Sequence, residues 1–234
     1  MANIIITGAS KGIGKAIAEI FVTNGHNVCI CARNEEALKE TAAKLKNINT
    51  HSKVYFKTAD MSDKKSVKDF ANFTLQNFNQ VDVLINNAGV FIGGQMHNEQ
   101  EGTLEKMIDT NLYSAYYMSR YIIPNMQQYK SGYIFNICSI ASFVAYPHGG
   151  SYAISKFAML GFSKSLREEM KPFGIKVCSV MPAATYTESW NGADIPEERF
   201  MPAEDVAQMI YATYQLSNRT DVEEIVLRPQ LGDL

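Results

Sequence analysis

The 234-residue chain is short of several things that would point to a specialised class. It holds only four cysteines, Cys29, Cys31, Cys138 and Cys178. None forms a C-x-x-C pair and each lies in an apolar, strand-like run, so the thiols read as buried and reduced, as in a cytoplasmic protein. His26, His51 and His97 show no metal-ligand spacing, and no metal site is expected. Charge of either sign is not in excess: 22 basic residues face 24 acidic ones, for a net charge of −2. That balance lacks the basic footprint of a nucleic-acid binder. No apolar run reaches the ~18 residues of a membrane span. The first residues run straight into a strand, which leaves no room for a signal peptide and makes the cytoplasm the expected location. Repeats, linkers and low-complexity segments are also missing.

What is present is an ordinary globular mixture, 46% hydrophobic and 20% charged. The length suits one large α/β domain better than two small ones. Short apolar runs alternate with helical patterns along the whole chain. Strands are expected at 2–7, 27–32, 53–58, 81–85, 132–138, 175–181 and 224–227. Helices are expected after the first glycine turn and at 35–47, 64–78, 99–128 in two pieces joined near Asn111, 152–170 and 204–216. This alternation implies a mostly parallel sheet with helices on both faces, and ligands in such sheets bind at the C-terminal ends of the strands.

The first strand runs directly into Gly8, Ser10, Lys11, Gly12, Ile13 and Gly14, and then into a helix. Glycines let backbone turn tightly and approach a ligand, and the helix N-terminus offers free N–H groups to a phosphate. The spacing is Gly-x-x-x-Gly-x-Gly, not the commoner Gly-x-Gly-x-x-Gly. The second strand ends at Ala32-Arg33, where an acidic residue would grip the 2′-hydroxyl of NAD. An arginine fork suits a 2′-phosphate instead, and Lys11 could add a second positive charge, so NADP(H) is expected over NAD(H). Asp60, followed by Met61, either bonds an adenine amino group or caps the next helix. Asn86, Asn87, Ala88 and Gly89 at the end of the fourth strand form either a polar turn or a wall beside a ligand.

Ser139 ends the fifth strand, and Tyr152 and Lys156 stand four residues apart, on one face of a helix. A free phenol titrates near pH ~10, and bringing it close to neutrality takes roughly 4 kcal/mol, about what one cation at ~4 Å supplies at an effective dielectric of ~20. Such a phenol can protonate a carbonyl oxygen that Ser139 holds. The alternative is a buried tyrosine and a solvated lysine. The glycine turn, Asn87, Ser139 and Pro182 converge on one end of the sheet, and this favours the chemical reading.

Taken together, the run from Thr7 to Gly14, Asp60, Asn86 to Gly89, Asn111, Ser139, Tyr152 and Lys156 resembles the short-chain dehydrogenase/reductase family over nearly the whole chain. The resemblance implies a single Rossmann-fold domain spanning 1–234, with a doubly wound seven-stranded parallel sheet, and an NADP(H)-dependent oxidoreductase acting on a carbonyl. Tyr152 would be the general acid/base and Ser139 the carbonyl anchor. Lys156 would lower the Tyr152 pKa and hold the nicotinamide ribose, and Asn111 would keep a proton-relaying water. Asp60 would meet adenine, Asn87 would line the cleft, and Thr187 with the backbone of Thr185 would hold the carboxamide. One departure follows Pro182, where the family's usual glycine is Ala183; a positive φ there would be strained.

The segment 186–190 and the tail 223–234 look like bacterial sepiapterin reductases within the family. Trp190 would then either stack on a pterin ring or pack the lid. Asp233 is a candidate for the acidic residue that holds the pterin. Tyr146 and His148 lie between Ser139 and Tyr152 and would touch substrate or remain surface residues. A 3-oxoacyl thioester is an alternative substrate, and a nucleotide-sensing protein is the non-enzymatic alternative. Family members pair through helices that here span 112–128 and 152–170; a homodimer is expected, with a tetramer as the alternative.

Overall fold

The computed structural model describes residues 1–187, 190, 192 and 194–234. Seven parallel strands form one sheet: β1 (Asn3–Thr7), β2 (Asn27–Ala32), β3 (Val54–Thr58), β4 (Val83–Asn86), β5 (Gly132–Ile137), β6 (Ile175–Pro182) and β7 (Glu224–Leu227). Their order across the sheet is β3-β2-β1-β4-β5-β6-β7. The order of winding reverses between β1 and β4, which lie parallel, and the C-terminal ends of those two strands open the crevice that this topology reserves for ligands.

Strands buried on both faces need apolar side chains in both directions. Ile4 and Ile6 of β1 point into one core with Ile17 and Phe21 of α1 (Gly12–Thr23), Leu38 and Leu45 of α2 (Glu35–Ile48), and Val206 and Ile210 of the last long helix. Ile5, between them, points the other way, toward Val67 and Phe70 of α3 (Lys64–Asn77) and Met118 and Ile122 of a later helix. The period of two along β1 thus divides the molecule into two layers of helix around the sheet.

The stretch 99–128 breaks where Asn111 stands. Helix α4 (Thr103–Ile108) passes through a single π turn, Asp109–Tyr113, into α5 (Ser114–Tyr129). Residues 99–102 stay outside the helix, because Gly102 turns the chain at φ 84°. Helix α6 (Gly150–Met170) starts two residues before Tyr152, and α7 spans Ala203–Tyr214. Asp63, not Asp60, caps α3, accepting from the N–H groups of Lys65 and Ser66. Ala183 is absent from the residues at positive φ; its N–H donates to the Leu227 carbonyl at 2.9 Å, so the sixth strand runs past the missing glycine without strain. None of the helices among the described residues is long and apolar enough to cross a membrane.

Candidate active site

A cleft of about 980 Å³ runs along the C-terminal ends of the strands. One end is built by the β1–α1 turn. Thr7 ties this turn to β4: its hydroxyl oxygen accepts from the N–H groups of Asn87 and Ala88, both at 3.0 Å. The Asn87 amide donates back to the carbonyls of Thr7 and Gly8, each at 2.9 Å. A Cβ on Gly14 would lie 2.4 Å from the Asn87 amide nitrogen and 2.5 Å from the Gly8 carbonyl oxygen. Gly8 stands at φ 67°, where a Cβ would come within 2.9 Å of Ala88 Cα. These contacts leave no room for a side chain at Gly8 or Gly14, so the chain can pass this close to Asn87 and Ala88 only as glycine. Lys11, at the cap position of α1, makes no side-chain capping bond to the first N–H groups of the helix. A cradle of this kind fits a pyrophosphate.

Gly8, Ser10, Lys11, Gly12, Ile13 and Gly14 all line the cleft. So do Arg33, Asp60, Met61, Asn87, Ala88 and Gly89, then Pro182, Thr185 and Thr187 on the far wall. Arg33 is exposed at the head of α2, whose first turn Asn34 caps by accepting from the Ala37 N–H at 3.0 Å. A helix N-terminus beside a guanidinium suits a phosphate. Burial pushes the Asp60 carboxyl up, but the Ser62 N–H and hydroxyl, with Arg33 nearby, outweigh this and hold it below the usual carboxylate range. The Oδ1 atom of Asp60 takes both Ser62 bonds, at 2.9 and 2.8 Å.

Ser139, Tyr152 and Lys156 meet at the other end. Ser139 leaves β5 into a short turn, where its hydroxyl oxygen accepts from the Ala141 N–H at 3.2 Å. Ser139, Tyr152 and Lys156 all line this end of the cleft. Lys156 is buried, donates to the Ile137 carbonyl at 2.9 Å, and places its Nζ 5.8 Å from the centre of the Tyr152 ring. Burial raises the Tyr152 pKa above its ordinary value, and the lowering effect of the Ser139 side chain offsets this only in part. Burial likewise lowers the Lys156 pKa, against a smaller opposing effect of Cys138. The net shift of Tyr152 is therefore upward, set by burial, where acidification by Lys156 was expected. Desolvation disfavours both charged forms, and the ammonium is aimed at a backbone carbonyl.

Asn111 and His148 are not among the residues that line the cleft. Asn111 lies behind the cleft wall and is buried. Its side-chain oxygen accepts from the Val90 N–H at 2.7 Å, and its amide donates to the Val90 carbonyl at 3.0 Å and to Ser155 Oγ at 2.9 Å. With its side chain so engaged, a water at this position would need the main chain, and the π turn interrupts the α-helical bonding ladder there. His148 is exposed and does not line the cleft; it sits at φ 64°, with its carbonyl accepting from Gly94 N–H at 3.1 Å. Tyr146 and Trp190 do line the cleft, and the indole also packs on Phe200, with ring centres 4.9 Å apart. Glu188 and Ser189, part of the 186–190 resemblance, lie outside the described residues.

The sequence reading passed over Phe91, Val144 and Cys138, which complete the wall near Tyr152. Phe91 meets the Tyr152 ring edge-on at 4.9 Å. Asp233 also reaches the cleft, and Arg228 pairs with its carboxylate. Only the position of Phe91 two residues after Gly89 could have signalled its place.

A family model for short chain dehydrogenases matches residues 2–197. The chain belongs to the short-chain dehydrogenase family. It is 31% identical to a sepiapterin reductase of Chlorobaculum tepidum over 237 aligned positions, covering 99% of this chain and 97% of that one. Among solved structures, an alcohol dehydrogenase from the archaeon Thermococcus sibiricus, complexed with 5-hydroxy-NADP, superposes with a TM-score of 0.90 at 26% identity, over 98% of this chain and 97% of the other. A serine dehydrogenase in its closed form with NADP+ gives a TM-score of 0.89, also at 26% identity, over 99% and 96% of the two chains. The protein is thus an oxidoreductase of this family, with a single seven-stranded Rossmann sheet.

Proposed function

We propose that the protein is an NADPH-dependent reductase that converts a ketone to an alcohol. The observation that carries this reading is that Ser139, Tyr152 and Lys156 line one end of a cleft whose other end is a tight glycine turn suited to a phosphate. When bound, the dinucleotide supplies the hydride that adds to the carbonyl carbon. Ser139 donates a hydrogen bond to the carbonyl oxygen and orients it. Tyr152, kept neutral by burial, transfers its phenolic proton to that oxygen as negative charge develops there. Lys156 and Tyr152 hold the nicotinamide ribose, Thr185 and Thr187 the carboxamide, and Asp60 the adenine. Arg33 and Lys11 are assigned to the 2′-phosphate that separates NADP(H) from NAD(H); the NADP-bound relatives support this assignment.

A narrower reading, a pterin ketone as substrate, draws on the sepiapterin reductase relative and on the cleft positions of Trp190 and Asp233. A 3-oxoacyl thioester is the competing substrate. The test is NADPH oxidation, followed by absorbance, against a carbonyl panel that includes sepiapterin and acetoacetyl thioesters. Turnover of at least one ketone is expected. Tight NADPH binding with no oxidation by any member of the panel would favour a nucleotide sensor.

The same reading has the protein acting in the cytoplasm as a homodimer. Tyr113 and Tyr116, before and on α5, and Ile154 and Phe157 on α6 leave large apolar side chains exposed, between 36% and 45%, on the two helices assigned to the interface. Light scattering is expected to give twice the chain mass; four times the mass would point to the tetramer.

A further inference from the structure

Helix α6 carries both Tyr152 and Lys156, yet its own sequence provides nothing to hold its first turn. Gly149 stands at the cap position with no side-chain bond, and no acidic residue lies in the first turn. The missing cap comes from the strap between β4 and α4, about fifty positions earlier in the chain. Glu99 Oε1 accepts from the Ser151 N–H at 2.9 Å, and Glu99 Oε2 accepts from the Ser151 hydroxyl. A carboxylate at this position satisfies free N–H groups and complements the positive end of the helix.

The joint is built for that one side chain. Gly150 stands at φ 41°, and a Cβ there would fall 1.9 Å from Glu99 Oε1 and 2.7 Å from the Gly94 carbonyl oxygen. A Cβ on Gly94 would meet Glu99 Cγ at 2.8 Å. Nearby, the Gly94 N–H donates to His148 at the end of the loop that leads into α6. The strap is fastened at its other end too, where Asn111 holds both polar groups of Val90 and reaches Ser155. Between these fastenings Phe91 rests on the Tyr152 ring. Glu99 itself does not line the cleft.

We infer that Glu99 is a positioning residue: through Ser151 it fixes the first turn of α6, and so sets the Tyr152 hydroxyl against Ser139. The inference rests on Tyr152 as the proton donor but has its own readout. The experiment compares full-length wild type with Glu99→Ala, Glu99→Gln and Ser151→Ala by three measurements: ketone turnover, NADPH affinity by fluorescence, and amide exchange of 150–156 by mass spectrometry.

Glu99→Ala is expected to lower kcat at least tenfold, with NADPH affinity changed less than threefold and exchange in 150–156 raised at least tenfold. Exchange in the glycine turn should stay as in wild type. Glu99→Gln, which keeps an acceptor, should recover part of both the turnover and the protection. Ser151→Ala, a milder change that leaves its N–H bond in place, should shift both in the same direction by less.

Wild-type exchange in 150–156 of Glu99→Ala would overturn the inference. So would raised exchange with wild-type kcat, or an equal fall in kcat and NADPH affinity across all three variants. Wild type inactive on every carbonyl would defeat the reductase reading alone. The exchange measurement then decides the inference: raised exchange supports it, and unchanged exchange refutes it.

Discussion

Tyr152 serves reduction best as a neutral phenol, because only the protonated form can give a proton to the carbonyl oxygen. Burial keeps it in that form. A raised phenol pKa leaves the acid form fully populated at neutral pH and loses it only as pH climbs past the ordinary tyrosine value. The kcat for reduction is therefore expected to stay level from about pH 7 to about pH 9.5. A falling limb centred near neutrality would mean that Lys156 acidifies the phenol after all. Arg33 faces a simpler question. With its guanidinium beside the α2 N-terminus, Arg33→Ala should weaken NADPH by about tenfold or more and leave NADH nearly unchanged, as loss of a charge-assisted bond worth ~1.5–3 kcal/mol predicts. An equal loss for both dinucleotides would contradict the assignment. The four-residue step between Tyr152 and Lys156 was legible in the sequence because helical geometry alone puts the two on one face. The sign of their pKa shifts was not, because it depends on burial and on the Ile137 carbonyl that captures the ammonium. Nor did the sequence reveal that the Asn111 side chain is spent on Val90 and Ser155, which only the folded strap brings within reach.

At the scale of elements, the β1–α1 turn is where the backbone has least freedom. Gly14→Ala would push a methyl group into the Asn87 amide and the Gly8 carbonyl, and neither can withdraw without breaking the bond between them. Overpacking of this kind costs about 1–3 kcal/mol. The variant is expected to melt at lower temperature and to lose measurable NADPH binding; wild-type affinity would show that the turn does not hold the pyrophosphate. Strand and helix positions were readable from the sequence to within a residue or two, save the start of the helix expected from 99, since β1 through β7 are short apolar runs bounded by glycines and helix starts. Two details escaped it. The cap of α3 is Asp63 because Asp60 is occupied by Ser62, and α6 begins at Gly150 because its cap arrives from Glu99. Both depend on contacts that a local pattern does not contain.

For the whole molecule, the buried thiols set an upper pH limit to stability. Burial pushes the Cys29 thiol up to about 12 and that of Cys138 up to about 11, both above the ordinary thiol value. Groups whose pKa is raised by folding contribute stability that is complete below pH ~9 and lost as pH rises toward the folded value. Near pH ~10.5 each of these two thiols should subtract roughly 2 kcal/mol. The denaturant midpoint is expected to fall steeply between about pH 9 and about pH 11, and replacing Cys29 with Ala should flatten the decline. A midpoint independent of pH over this range would mean that the thiols are not held in dry surroundings. The measurement that bears most directly on the reductase itself is a comparison of wild type and Tyr152→Phe, each assayed for NADPH affinity by fluorescence and for ketone turnover by NADPH absorbance. The expected result is unchanged NADPH affinity with turnover lowered at least a thousandfold; turnover within a few-fold of wild type would contradict Tyr152 as the proton donor.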